Sequence, residues 1–241
     1  MTLTPLNTSL AVQIIIAALS GVFLCLDRIA FQTMVSRPLV IATTASWIMG
    51  NPLAGLMIGA LLELFWLNKL PLGTYTPPND SLVAILTAIT ATVLIKMEPL
   101  YSPKAIIAFS LLIYVPVGCF ATKTEYLWKN FNERLSDKLL AEIDPPYKQF
   151  SPIRVFPSLL RYFLYSLALI SIGLSAGLLL IPPFFSLLPS FVYAALTFIY
   201  YLFPLIGVAA AIITTQNKKA ILYFSSIFIL AALLSEIGIF L

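Results

Sequence analysis

Glu63 is the side chain whose type and position first suggest chemistry, because it is a carboxylate inside the apolar stretch 53–67. An ionisable residue in hydrocarbon costs about 2.5 to 3.5 kcal/mol on insertion scales, so it usually has a functional partner. Gly55 and Gly59 precede it at intervals of four residues, and glycines at that spacing let another backbone approach closely. The pattern predicts that Glu63 faces protein or a cavity, where it contacts a ligand or coupling ion, or else pairs with a neighbouring helix.

Polar side chains also surround a proline-rich break after this stretch. Three prolines lie within residues 70–80, and since proline donates no backbone hydrogen bond, the segment is predicted to be irregular. Asn79 or Asp80 can cap the helix that follows. At membrane depth such a break would border a cavity, as discontinuous helices do in transporters, whereas at the surface it would be an ordinary turn. The polar side chains concerned are Thr74, Thr76, Asn79 and Asp80.

Other groups that could perform chemistry are few. Asp27 and Arg28 follow the first apolar run, and Arg37 precedes the second; their positions favour anchoring at the membrane interface, by pairing with one another or with lipid headgroups. The chain has no histidine, and its two cysteines, Cys25 and Cys119, lie in apolar runs. Since zinc, haem and iron–sulfur sites need several such ligands, we predict no metal site, no cofactor and no catalytic group in this chain.

The composition identifies the environment in which these residues act. Of the 241 residues, 60% are hydrophobic and 10% are charged, and the mean hydropathy is +0.98. Soluble domains are about half apolar and about a quarter charged. These values exclude a soluble enzyme, a nucleic-acid binder and a disordered chain, and they predict a polytopic membrane protein.

The apolar runs predict an all-α membrane domain that occupies the whole chain, 1–241. A spanning helix needs about 20 apolar residues. Residues 38–67 contain two arms that are each too short and are separated by Asn51-Pro52, so we predict a re-entrant helical hairpin; two short spans would give the same topology. Pro182-Pro183 and Pro204 predict further helix breaks. The predicted spans are 8–26, 81–95, 103–121, 155–181, 190–213 and 220–241.

The distribution of positive charge predicts the orientation. With the N-terminus outside, eleven of the 14 Lys and Arg residues lie in cytoplasmic segments, two lie outside, and Arg161 lies within a span. Cytoplasmic loops hold most Lys and Arg in membrane proteins. We therefore predict that both termini are outside.

The only segment that resembles a soluble protein is 123–154, which holds eleven of the 24 charged residues. We predict a cytoplasmic amphipathic connector there, which is either an interfacial helix between two bundles or a docking surface for a partner. Its apolar stripe recurs every fourth residue and comprises Leu127, Phe131, Leu135 and Leu139. Its charged neighbours are Glu125, Lys129 and Glu133.

Several of these motifs together resemble a known family. They are Leu26-Asp27, the run 37–40, the run Gly50-Asn51-Pro52 through Leu64, Gly73, and the run Pro77-Pro78-Asn79-Asp80-Ser81-Leu82. The first hundred residues are similar to the IIC component, or permease subunit, of the mannose, fructose and sorbose family of bacterial sugar phosphotransferase systems. Beyond residue 100 the similarity is one of hydropathy and length. Members often have Asp-Ala or Asn-Ala where this chain has Asn79-Asp80.

The resemblance implies a function, partners and a location. Such a subunit moves a hexose across the bacterial inner membrane together with a second membrane subunit, IID, while soluble IIA and IIB subunits carry phosphate on histidines. It implies that Asp27, Glu63, Asn79 and Asp80 lie at the sugar path, and the break adds Thr76 to the substrate-binding residues. Carboxylates and amides suit a hexose because they pair with its hydroxyls.

Two other functions are compatible with the sequence to different degrees. A regulatory or sensory protein on the same fold, which no longer transports sugar, is the main alternative. An intramembrane enzyme that uses Asp27 and Asp80 as a carboxylate pair has no support from their spacing. The identity of the sugar is not encoded in residue types alone, because inversion of a single hydroxyl needs no change of residue type.

Overall fold

The computed structural model describes residues 8–67, 69, 77–141, 156–215, 222–223 and 226–227. Within these ranges the chain is helical apart from turns and short loops, and no described residue lies in a strand, which confirms the predicted all-α class. The longer helices are α1 (Thr8–Leu26), α2 (Pro38–Ile48), α3 (Pro52–Phe65), α4 (Asp80–Met97), α5 (Pro103–Ala141), α6 (Phe156–Ser186) and α7 (Ser190–Thr215).

Five of these helices are long and apolar enough to cross a membrane, so the predicted multi-pass architecture is confirmed. They are α1, α4, α5, α6 and α7. The predicted span 220–241 lies outside the described residues except for 222–223 and 226–227.

Helix α4 lies at the centre of the bundle. Every residue from Ser81 to Leu94 is buried, because this helix is apolar or small on all faces and packs against α1, α2, α3, α5 and α6. Two of its threonines have partners inside the bundle: Thr92 bonds the hydroxyl of Ser46 at 3.1 Å, and Thr90 bonds Tyr114 at 2.9 Å. The buried hydroxyl of Thr87 has no partner among the described residues. The 18 residues of α4 span about 27 Å at 1.5 Å per residue.

Helices α2 and α3 form the predicted hairpin. Their 11 and 14 residues correspond to lengths of about 17 and 21 Å, which are shorter than the hydrocarbon core of about 30 Å. Gly50 has φ +79°, and Asn51 caps α3 by accepting a hydrogen bond from the Ala54 N–H at 3.3 Å. Pro52 occupies the first turn of α3, where a missing N–H costs nothing.

The two glycines of α3 allow the arms of the hairpin to touch. A Cβ atom on Gly59 would lie 2.6 Å from the Cα of Leu39 and 2.9 Å from the carbonyl oxygen of Pro38, and one on Gly55 would lie 2.6 Å from the Cβ of Ser46. The close backbone approach predicted for this face therefore occurs, and the approaching backbone is α2. Because the beginning of α2 contacts the end of α3, the hairpin enters and leaves at one end of the bundle.

Three prolines that were predicted to break helices do not do so. Pro182 and Pro183 lie in the last turn and a half of α6, which continues to Ser186, and Pro204 lies within α7. The prediction of breaks in this half is wrong for these positions, because a helix that is held by neighbouring helices can tolerate the missing hydrogen bond and bend.

Helix α5 is longer than the membrane is thick. Its 39 residues correspond to about 58 Å, and it contains Pro116 without interruption. Its second half buries one charged residue and exposes part of its apolar stripe: Glu125 is 1% exposed, whereas Leu127 is 66% and Phe131 is 62% exposed. The side chains of Leu135 and Leu139, and residues 142–154 of the predicted connector, lie outside the described residues.

Candidate functional site

The loop between α1 and α2 is held in place by the carboxylate of Asp27. Its Oδ1 accepts hydrogen bonds from the N–H and the hydroxyl of Thr33, at 2.8 and 2.6 Å, and its Oδ2 accepts one from the N–H of Ser36 at 3.1 Å. Burial disfavours the charged carboxylate, but these bonds outweigh it and lower the pKa of Asp27 below its usual value. Asp27 therefore fixes the path of the loop.

Two residues of this loop adopt a left-handed backbone conformation. Gln32 has φ +53° and Met34 has φ +66°, a region that residues other than glycine occupy at a cost of about 1 to 3 kcal/mol. The three bonds to Asp27 stabilise the loop against that cost. Strained residues of this kind cluster at functional sites.

Arg28 joins three parts of the bundle. Its guanidinium forms an ion pair with Asp80 at the start of α4, and it donates to the carbonyl oxygens of Pro77 and Pro78 at 3.3 and 3.2 Å. Its Nε lies 3.4 Å from Oε1 of Glu125 on α5. Burial alone would lower the pKa of Arg28, but the carboxylates of Asp80 and Glu125 raise it, so the guanidinium is charged. The proline carbonyls that the break leaves without helical partners are thereby satisfied.

The start of α4 is fixed by further contacts. The side chain of Asn79 accepts a hydrogen bond from the Leu82 N–H at 3.0 Å and so caps the helix, as predicted. The backbone N–H of Asn79 donates to the Gly118 carbonyl at 3.4 Å, and the Ser81 hydroxyl donates to the Ser36 carbonyl at 2.6 Å. Helix α5 and the α1–α2 loop therefore hold this helix end on two sides.

Glu63 lies at the same end of the bundle and pairs with a cation. Its Oε1 is 3.3 Å from a guanidinium nitrogen of Arg37, and both side chains are 32% exposed. Its Oε2 is buried and accepts no hydrogen bond from the described residues. Glu63 therefore faces protein, as its glycine spacing predicts, and one of its oxygens is left without a donor.

These groups surround a cavity of about 470 Å³ between the α1–α2 loop, the end of α3, the start of α4 and α5. Four cationic side chains and two carboxylates line it. The other lining residues are mostly polar or belong to the α1–α2 loop. The lining residues are Arg28, Ile29, Gln32, Met34, Ser36, Arg37, Lys69, Pro77, Asp80, Glu125 and Lys129.

The predicted site residues occupy three kinds of position relative to this cavity. Asp80 lines it, and Glu63 contacts Arg37, which lines it. Asp27 and Asn79 are buried beside it, and their side chains hold the loop and the start of α4. Thr76, like Thr74, lies outside the described residues.

Sequence reasoning missed the cations and one acid of this cavity. Arg28 and Arg37 were interpreted as interface anchors, and Glu125 as part of a connector. No local signal connects Arg28 with Asp80 or Glu125. Among the described residues, no group of three or more Cys, Asp and Glu side chains is arranged to hold a metal ion.

Comparisons with known proteins agree with this architecture. Residues 11–240 match the family described as the sorbose-specific IIC component of the PTS, the phosphotransferase system. A solved structure described only as a membrane protein has a TM-score of 0.65 at 20% identity, and the alignment covers 97% of this chain and 91% of that one. A chain from the cryo-EM structure of the mannose transporter ManYZ with microcin E492 has a TM-score of 0.43 at 18% identity, with coverages of 96% and 88%. No curated protein sequence matches.

Proposed function

The chain belongs to the family of sorbose-specific IIC components of the phosphotransferase system, and on this premise we propose that it binds a hexose and moves it inward across the bacterial inner membrane. Family membership makes it a multi-pass sugar permease component. That the sugar is a hexose, and that it passes through the cavity described above, are the parts that we propose.

The cavity is the observation that carries this proposal. It is a polar space at one end of an otherwise apolar bundle, at the irregular break before α4, and its volume of about 470 Å³ is within the usual range for small-molecule sites. Its carboxylates and guanidinium groups can accept and donate paired hydrogen bonds to sugar hydroxyls. Such a combination in a membrane protein is typical of a substrate path.

The site residues have two kinds of role in this proposal. Asp80, Glu63 and Thr76 contact the sugar, with Asp80 paired to Arg28 and Glu63 paired to Arg37. Asp27 and Asn79 position the site, because the loop and the start of α4 depend on their hydrogen bonds.

The proposed partners follow from the family to which the chain belongs. The chain has no histidine, so it cannot carry a phosphoryl group in the way that histidine carriers do. We expect a membrane complex with a IID subunit, and phosphoryl transfer by cytoplasmic IIA and IIB subunits.

Sugar uptake tests the proposal directly. Cells that express the chain with its neighbouring genes should accumulate at least one of a panel of labelled hexoses, and Asp80→Asn should reduce that uptake at least tenfold. Lys96→Gln is the matched control, because Lys96 lies at the other end of α4 and bonds only Gln13 among the described residues. Normal regulation of a sugar operon without uptake of any hexose would contradict the proposal and favour the regulatory alternative.

A further inference from the structure

Glu125 is a buried carboxylate that is neither one of the proposed sugar contacts nor one of the residues that hold the loop and the start of α4. It lies on α5, is 1% exposed, and its side chain borders the cavity. We propose that Glu125 is a positioning residue for sugar recognition, which holds the guanidinium of Arg28 in the orientation that fixes Asp80. This inference rests on the proposed permease function, because Asp80 is one of the sugar contacts proposed there.

The first argument is the way in which the guanidinium of Arg28 divides its nitrogens among its partners. Its Nε lies 3.4 Å from Oε1 of Glu125. Of its two terminal nitrogens, one donates to Oδ1 of Asp80 and the other to the carbonyl oxygens of Pro77 and Pro78. Because a guanidinium is planar and rigid, a charged partner at Nε also fixes the direction of the terminal nitrogens. Glu125 therefore opposes the rotation that would turn them away from Asp80.

The second argument is that α5 holds Glu125 at a fixed place relative to the start of α4. Gly118 lies seven residues before Glu125, which is about two helical turns and places both residues on one face. The Gly118 carbonyl accepts a hydrogen bond from the Asn79 N–H at 3.4 Å, and a Cβ atom on Gly118 would overlap the side chain of Val83. The close contact of α5 with the start of α4 therefore also sets the position of Glu125.

The third argument is that a contribution to stability does not explain the charge of Glu125. Its Oε2 is buried and has no hydrogen-bond partner among the described residues. Its second cation, Lys129, lies 3.9 Å from Oε1 and has a side chain that is 45% exposed. A buried ion pair repays the loss of hydration only where its remaining lone pairs are satisfied, and apolar residues often replace such a pair without loss of stability. The effect of Glu125 on Arg28 accounts for a charge at this position.

Uptake kinetics of the complete membrane complex test the inference. Cells that express the chain with its neighbouring genes are given a panel of labelled hexoses that includes mannose, fructose and sorbose. Glu125→Gln keeps the shape of the side chain but removes its charge. For a sugar that is taken up, it should raise KM about five- to tenfold, as for the loss of one charge-assisted contact, while the maximal rate per inserted molecule changes less than twofold.

The matched control makes the same change elsewhere on the same helix. Glu133 is exposed and lies about two turns beyond Glu125, so Glu133→Gln should leave KM unchanged. The amount of chain in the membrane is measured for every variant. If Glu125→Gln is not inserted, Glu125→Asp replaces it, because aspartate keeps the charge but draws it back from Arg28, and the same increase in KM is expected.

A second background separates positioning from a general role in folding. Arg28→Lys keeps the positive charge but removes the planar group that joins the two carboxylates. If Glu125 acts through the guanidinium, Glu125→Gln should raise KM less than twofold in this background. A purely structural contribution would multiply KM equally in both backgrounds, because independent effects add as free energies.

The contrary outcomes distinguish this inference from the permease function. Uptake with a KM that Glu125→Gln does not change overturns the inference and leaves the permease function standing. The inference is equally wrong if only the maximal rate falls, or if KM rises by the same factor in the Arg28→Lys chain. If the unchanged chain takes up none of the hexoses, the proposed function fails and this inference fails with it.

Discussion

In the folded chain Glu63 contacts a cation and not lipid. A ligand contact and a packing role for this carboxylate can therefore be tested against each other. Its Oε1 pairs with Arg37 at 3.3 Å, and its buried Oε2 has no donor among the described residues. A carboxylate that is only held by a neighbouring helix would have both oxygens paired in a stable structure. The unpartnered oxygen therefore supports a ligand contact.

Two substitutions at Glu63 separate binding from packing. Glu63→Gln keeps the shape but removes the charge, and it should weaken sugar binding by up to about 1.5 to 3 kcal/mol, as for a charge-assisted hydrogen bond. Glu63→Ala should be at least as damaging. Both variants should reach the membrane at near wild-type levels, as should the control Glu98→Gln at the far end of α4. Unchanged sugar affinity in folded Glu63→Ala would contradict the assignment, and loss of folded protein in both variants would support packing.

Asp27 predicts a dependence of stability on pH. Its folded-state pKa lies below the ordinary value of 3.8, so its carboxylate stabilises the fold at neutral pH, and this contribution is lost as the pH falls below 3.8 toward the folded-state pKa. Asp27→Asn presents an amide N–H to the N–H of Ser36 and should destabilise the chain at pH 7 by about 1 to 3 kcal/mol. Thermal unfolding of both proteins should show that the difference narrows below pH 3.8. An equal difference at pH 7 and pH 3 would show that Asp27 is not held as a carboxylate.

At the scale of elements, the hairpin depends on the absence of side chains on one face of α3. A Cβ on Gly59 would lie 2.6 Å from the Leu39 Cα, and backbone cannot move aside as a flexible side chain can. Gly59→Ala should therefore separate α2 from α3 and cost about 1 to 3 kcal/mol, as overpacking does. Because α2 carries Arg37 at its N-terminus, sugar binding should fall as well.

The control for this prediction lies on the same helix. Leu56→Val changes a half-exposed side chain of α3 and should change both the melting temperature and the sugar affinity little. Equal effects of Gly59→Ala and Leu56→Val would show that contact between the arms does not position the site.

At the scale of the whole molecule, the positive charges separate as the predicted orientation requires. Arg28, Arg37 and Lys129 meet at one end of the bundle, and Lys96 lies at the opposite end of α4. Because cytoplasmic segments hold most Lys and Arg, the end with Arg28, Arg37 and Lys129 is assigned to the cytoplasm. The cavity is therefore predicted to open on the side from which phosphate carriers would act.

Cysteine labelling tests this orientation. In a chain whose Cys25 and Cys119 are replaced, Asn130→Cys should react with an impermeant reagent only from the cytoplasmic side. Leu100→Cys, at a 95% exposed position between α4 and α5, should react only from outside. Labelling of position 130 from outside would reverse the orientation and place the cavity on the external face.

The sequence by itself determined the features that depend on neighbours along the chain. The apolar runs predicted α1 and α7 within a few residues, and Gly50-Asn51-Pro52 predicted the tip of the hairpin, because helix length, capping and turn chemistry are local properties. The spacing of Gly55, Gly59 and Glu63 predicted a close backbone contact for the same reason. The spacing did not identify α2 as the helix whose backbone makes this contact.

Only the tertiary structure decided which distant groups meet. Arg28 pairs with Asp80 and Glu125, which lie far along the chain, and long-range pairing leaves no periodic signal in the sequence. The burial of Glu125 was equally hidden, because the sequence indicated only an amphipathic connector. Arg28 and Lys129 supply the charges that make burial of this carboxylate tolerable. The physical reason in both cases is that the free energy of a charge in a low-dielectric interior depends on its partners in space, and the fold alone brings those partners together.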